Sequence, residues 1–146
     1  MKYRILIADD NIVNVELLDA YLTGANYKNF ECEILTAHDG AETLEKAMTT
    51  TPDLILLDIM MPKMSGFEVC ERLRANPKTR GIMIIMVTAL SELGDIERAV
   101  AAGCDDYLSK PVNKFELIKR VENMLKLRSI TNELERLKQY INEMEK

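Results

Sequence analysis

Four short runs, each closed by a polar residue, constrain this chain more than any other feature of its sequence. Ile5-Leu6-Ile7-Ala8 is followed by Asp9-Asp10, Leu54-Ile55-Leu56-Leu57 by Asp58, Ile82 to Val87 by Thr88, and Tyr107-Leu108-Ser109 by Lys110-Pro111. Most are apolar on consecutive residues rather than alternate ones, the pattern of strands buried on both faces, and they are too short for core helices. Between the runs the apolar period changes to that of a helix, as in Val15, Leu18 and Leu22. Strands that alternate with helices make βαβ units and a parallel sheet. The pattern predicts strands at Tyr3–Ala8, Glu31–Ala37, Leu54–Asp58, Ile82–Thr88 and Asp106–Ser109. It predicts helices at Ile12–Thr23, Ala41–Thr49, Gly66–Ala75 and Leu93–Ala102, with a last one from Lys114 behind Asn113 as N-cap. Pro52, Pro62, Pro77 and Gly103 fall between these elements, as breakers should.

In an open parallel sheet the carboxyl ends of the strands face one crevice, where ligands bind. Three carboxylates (Asp9, Asp10, Asp58), the Thr88 hydroxyl and the Lys110 ammonium are therefore expected to meet there. Such a set suits a divalent cation and a phosphoryl group. Singly, each residue has a plainer reading. Asp9 and Asp10 could simply cap the first helix, whose N-terminus favours negative charge, Thr88 could cap the next one, and Lys110 could be solvated surface.

The ordered set Asp9-Asp10, Asp58, Thr88 and Lys110-Pro111 resembles the signature of response-regulator receiver domains of two-component signalling, over Tyr3 to about Leu127. The resemblance implies a flavodoxin-like (βα)5 α/β sandwich of three layers. Its parallel sheet would have five strands in the order 2-1-3-4-5, with an extended C-terminal helix. It implies Asp58 as the phosphoacceptor and Mg2+ as the cation, with Mn2+ as the alternative. Asp10 and Asp58 would be direct ligands, Asp9 would act largely through water, and the backbone carbonyl of Met60 would supply a further oxygen. Lys110, Thr88 and the amide of Ala89 would hold the phosphoryl oxygens. Pro111 would follow a cis peptide bond, and Tyr107 would be the aromatic that moves when Thr88 is drawn inward. The implied donor is a sensor histidine kinase or a phosphotransfer protein. The resemblance implies a changed surface on the fourth helix, fifth strand and fifth helix, and a homodimer through that face and a C-terminal coiled coil is expected.

Composition bounds the alternatives. The 146 residues are 47% hydrophobic and 29% charged, the make-up of a soluble single domain. A net charge of -5 argues against this segment gripping nucleic acid, which needs a basic face. No stretch is long and apolar enough for a membrane helix, and a strand begins at once, with no signal peptide. A cytoplasmic protein is expected. Cys32, Cys70 and Cys104 are odd in number and lack metal-ligand spacing, so they read as small apolar residues. His38, the single histidine, reads as a loop residue.

The last helix carries a second message. Leu127, Ile130, Leu134, Leu137, Ile141 and Met144 follow at steps of three and four, a heptad seam, and no Gly or Pro interrupts the chain after Val112. The sequence thus divides into a receiver, 1–126, and a coiled-coil linker helix, 127–146, leading to an effector. The alternative is a tail helix folded back on its own domain. The unbroken passage from receiver helix into polar coiled coil resembles linkers that precede diguanylate cyclase domains. Two rivals stand beside this reading. A stand-alone phosphorelay receiver would not need the seam. A magnesium-dependent phosphohydrolase of the haloacid dehalogenase type would carry a second Asp two residues after its nucleophile, where this chain has Met60.

Overall fold

The computed structural model describes residues 2–145 except 26, 28, 29 and 90–92, and for 93 the backbone alone. In chain order the elements are β1 (Lys2–Ala8), α1 (Ile12–Thr23), β2 (Glu31–Ala37), α2 (Gly40–Thr50), β3 (Leu54–Leu57), α3 (Gly66–Ala75), β4 (Met83–Thr88), α4 (Leu93–Ala102), β5 (Asp106–Ser109) and α5 (Lys114–Met144). The five strands pair in parallel in the order β2-β1-β3-β4-β5, the expected flavodoxin-like topology.

The strand period of two divides the core between two layers. Leu6, Ala8, Ile55, Leu57, Ile84 and Met86 face one side, covered by Ala47, Phe67, Val69, Leu73 and Ala99 of α2, α3 and α4. Ile5, Ile7, Leu54, Leu56, Ile85 and Val87 face the other, covered by α1 (Val15, Leu18, Leu22) and α5 (Leu117, Val121, Met124, Leu125). Both faces are therefore dry, which is why the central strands carry no alternation of polar residues.

The elements differ from the sequence expectation only at their ends. β3 stops at Leu57, not Asp58: the ladder to β4 ends at the Leu57–Met86 pair, although the Asp58 amide still donates to the Ala8 carbonyl at 2.9 Å. β4 begins at Met83 because the Ile82 amide is turned to the Thr79 carbonyl (3.1 Å). β1 reaches back to Lys2, which pairs with Glu31. α2 gains a residue at each end: Asp39 caps it by accepting from the Glu42 amide at 2.7 Å, and Thr51, with φ 43°, closes it. Asn113 caps α5 as expected, accepting from the amides of Phe115 and Glu116.

α5 is 31 residues long, about 46 Å, and only its first part lies on the sheet. From 130 to 145 every residue is exposed, Leu134 and Leu137 being 53% and 54% accessible. The tail does not fold back on the domain. Among the described residues no helix is long and apolar enough to cross a membrane.

Candidate functional site

Because all strands run the same way, the residues that follow them gather at one edge of the sheet. Asp9 follows β1, Asp58 follows β3, Thr88 ends β4, and Lys110 follows β5. Carboxylate oxygens of Asp9, Asp10 and Asp58 lie within 4.8 Å of one another, and among the described residues no other group of three acidic, His or Cys side chains is so gathered. Asp9 and Asp58 are buried, at 2% and 4% accessibility, while Asp10 is exposed at the mouth. The Lys110 ammonium stands 3.0 Å from an Asp9 oxygen and 3.6 Å from one of Asp58. The Lys110–Pro111 peptide is cis. Thr88 is fully buried, and Ala89 follows it as an exposed bend residue.

The plainer reading of the two leading aspartates does not hold. Asn11, not Asp9 or Asp10, is the N-cap of α1, accepting from the amides of Val13 (2.9 Å) and Asn14 (3.3 Å). Asp9 is fixed one step earlier, where its Oδ1 accepts from the Asn11 amide at 2.9 Å. Both residues are thus left to face the pocket rather than the helix.

Charge in this pocket is only partly balanced. Burial and the neighbouring Asp9 carboxylate push the Asp58 carboxyl up to about 6, against the opposing pull of Lys110 and a hydrogen bond from the Met60 backbone. A cluster of carboxylates with one ammonium has room for more positive charge. Its donors are hard oxygens, which suit a small divalent cation such as magnesium. Met60 is 62% exposed, and its backbone hydrogen-bonds the Asp58 carboxyl. Tyr107, on β5, is half-buried against the α2–α3–α4 layer, and its hydroxyl is buried without a hydrogen-bond partner among the described residues. Burial, with Asp95 nearby, raises its phenol above the ordinary value.

One residue that shapes the site escaped the sequence reading. Gly66 opens α3 against the back of the loop that follows Asp58; a Cβ there would lie 2.3 Å from the Asp58 carbonyl oxygen and 2.8 Å from the Ile59 Cα. Its amide donates to the Ile59 carbonyl at 2.9 Å, tying helix and loop together. A glycine inside the first turn of a helix, where it is disfavoured, is the signal that could have revealed it. Lys63, at φ 68° in the same loop, left no such signal.

Comparison with known proteins converges on one family. The model of the response regulator receiver domain matches residues 5–122. The response regulator PleD of Caulobacter vibrioides is 41% identical over 134 residues, which are 92% of this chain and 28% of PleD. The chain thus spans little more than a quarter of that relative's length. A CheY-like response regulator receiver domain protein of Methanospirillum hungatei superposes with a TM-score of 0.77 at 29% identity, over 90% of this chain and 99% of that one. The receiver domain of the sensor histidine kinase PA1611 of Pseudomonas aeruginosa, whose structure has a magnesium ion coordinated in the active-site cleft, superposes at 0.75 with 29% identity, over 86% of this chain and 99% of that one.

Proposed function

The chain belongs to the response regulator receiver domain family, and we propose that within it Asp58 accepts a phosphoryl group in a magnesium-dependent reaction and thereby controls an output attached to α5. The observation that carries this reading is the meeting of Asp9, Asp10 and Asp58 within 4.8 Å beside Lys110. Magnesium, when bound, offsets the repulsion between the carboxylates and an incoming phosphoryl group. Asp10 and Asp58 would hold it directly, Asp9 largely through water, with the backbone carbonyl of Met60 as a further oxygen. An oxygen of Asp58 attacks phosphorus, the P–N bond of a phosphohistidine on the kinase or transfer protein breaks, and the imidazole leaves with the electron pair. Lys110 then follows the negative charge to a phosphoryl oxygen as a compact point charge. Thr88 and the Ala89 amide serve another. Met60 offers no acid to protonate a leaving group, which speaks for a switch rather than a phosphohydrolase.

The experiment is incubation with acetyl phosphate followed by intact-mass analysis. One phosphoryl group is expected with magnesium and none with chelator; labelling that ignores the metal would sink the proposal. Asp10→Asn is expected to weaken magnesium binding at least tenfold, the loss of about 1.4 kcal/mol from one charged ligand, with an unchanged fold. Calorimetric titration checks it, and equal affinity in the variant would mean that the ion sits elsewhere.

For the output, phosphorylation favours a parallel two-fold dimer, joined by the α4–β5–α5 faces and by the tail helices. Leu127, Leu134 and Ile141 would take one core position and Ile130, Leu137 and Met144 the other, with Glu133 facing Lys138 of the second copy. All six seam residues are exposed in the single chain. Under three heptads of coiled coil is marginal alone, so a coupling of about 1–3 kcal/mol at the receiver faces decides association. Sedimentation with and without beryllium fluoride, on the intact chain and on one ending at Arg128, tests this. A monomer at high micromolar concentration in the activated intact chain would rule the dimer out. By the resemblance of the linker, the effector is a diguanylate cyclase.

A further inference from the structure

The tail leaves the receiver at one identifiable residue. On α5 the buried positions Leu117, Val121, Met124 and Leu125 form the face that packs on the sheet. Arg128 continues that face by one more turn, and from 130 to 145 every residue is exposed. The seam that begins at Leu127 lies on the other side of the helix, about 150° away at 100° per residue. At Arg128, therefore, α5 changes from a helix read by its own domain to one free to be read by something else.

Arg128 ends the docked face with polar bonds instead of apolar packing. Its Nε faces an Asp53 carboxylate oxygen at 3.5 Å, and its Nη1 donates to the Gly81 carbonyl. Asp53 is held by two strands, β1 and β4. Its second carboxylate oxygen accepts from the Arg4 amide of β1 at 2.9 Å, its own amide donates to the Arg4 carbonyl at 2.9 Å, and its carbonyl accepts from the Met83 amide of β4 at 3.1 Å. Asp53 immediately precedes β3 and Asp58 immediately follows it, about 17 Å further on. Gly81 stands just before β4, which ends in Thr88. The anchor of the tail and the pocket thus occupy opposite ends of the same two central strands.

We propose that Arg128, held between Asp53 and the Gly81 carbonyl, is the latch that fixes the direction in which α5 leaves the receiver. This rests on the reading of the tail as the output helix. A planar guanidinium suits the task, because its fork reaches a carboxylate and a carbonyl at once and resists rotation about either bond. With the latch closed, two receivers brought together present their seams in one register. With it open, the helix pivots after Leu125, and receiver association no longer decides how the tails meet.

The test uses the full chain with spectroscopic labels on two ketone-bearing residues, one at Glu45 on the body and one at Gln139 on the tail, so that the three native cysteines stay untouched. Pulsed dipolar spectroscopy on the unactivated monomer is expected to give one narrow distance distribution. Arg128→Ala should broaden it to both shorter and longer separations, Asp53→Asn should broaden it less, and Arg128→Lys, which keeps the charge and loses the fork, should fall between wild type and alanine. Distributions as narrow in Arg128→Ala and Asp53→Asn as in wild type would overturn the latch. This readout needs no phosphorylation, so it stands whether or not Asp58 is the acceptor. In the activated chain, Arg128→Ala should leave labelling of Asp58 intact while the gain in dimer affinity falls from roughly 5–150-fold toward unity. A variant that is labelled and dimerises like wild type would show that the latch has no part in the output.

Discussion

Asp58→Asn is expected to abolish phosphoryl transfer and, in the absence of magnesium, to stabilise the domain. The first effect is all-or-none, since the neutral amide is not a nucleophile for phosphorus, and intact-mass analysis after treatment with acetyl phosphate reads it directly. Labelling of the variant at the wild-type level would place the acceptor on another residue. The second follows from the carboxyl's raised value of about 6, set by burial and by Asp9. A folded-state pKa above the unfolded one means that the native state holds the proton more tightly and is penalised when the group ionises. The penalty is complete above pH 6 and gone below the unfolded value near 3.8. Removing the charge should therefore raise the unfolding free energy by about 1–3 kcal/mol at pH 7.5, with the gain shrinking as pH falls from 6 to 4. Denaturant titrations at several pH values in chelator measure it. A gain independent of pH would point to some origin other than the charge. Magnesium should reverse the order, because it binds the native wild type and not the variant's weakened ligand set.

Gly66→Ala should impair magnesium binding and phosphoryl transfer nearly as much as Asp58→Asn, and for a reason with no chemistry in it. The added methyl would stand 2.3 Å from the Asp58 carbonyl oxygen and 3.0 Å from its carbonyl carbon. Both are backbone atoms of the buried junction between β3 and its loop, where Asp58 is still bonded to Ala8, so they cannot swing aside as a side-chain tip would. Overpacking of this kind costs about 1–3 kcal/mol and more where the backbone cannot yield. The loop must move outward, carrying Asp58 away from Asp9 and Asp10, so magnesium affinity and phosphorylation should fall together with stability. Urea unfolding and a magnesium titration on the folded fraction check the pair. A change of stability within about 0.5 kcal/mol, the range of an inert surface substitution, would show that the close approach is not binding on this backbone.

Much of this protein is legible along the chain itself. Consecutive apolar residues at Leu54 to Leu57 and at Ile84 to Val87 can be buried only in a sheet covered on both faces, and Val15, Leu18 and Leu22 only on one side of a helix. Asp9, Asp58 and Thr88 could be assigned to one edge because a parallel topology sends every strand's end the same way. The heptad seam after Leu127 is likewise a matter of period. What three-dimensional packing alone decided are meetings between residues far apart. Arg128 lies 75 positions from the Asp53 it faces, and no strand end announces their pairing. Nothing local marks Arg128 as different from the other cations of α5, because its role comes from where the helix axis crosses the entry ends of β3 and β4. The same holds for Gly66, whose missing side chain matters only because the loop after β3 folds back upon it. Periodicity and burial are written within a few residues of each position, whereas contact distances depend on how whole elements pack, and that packing is set by the sum of all their faces rather than by any one stretch of sequence.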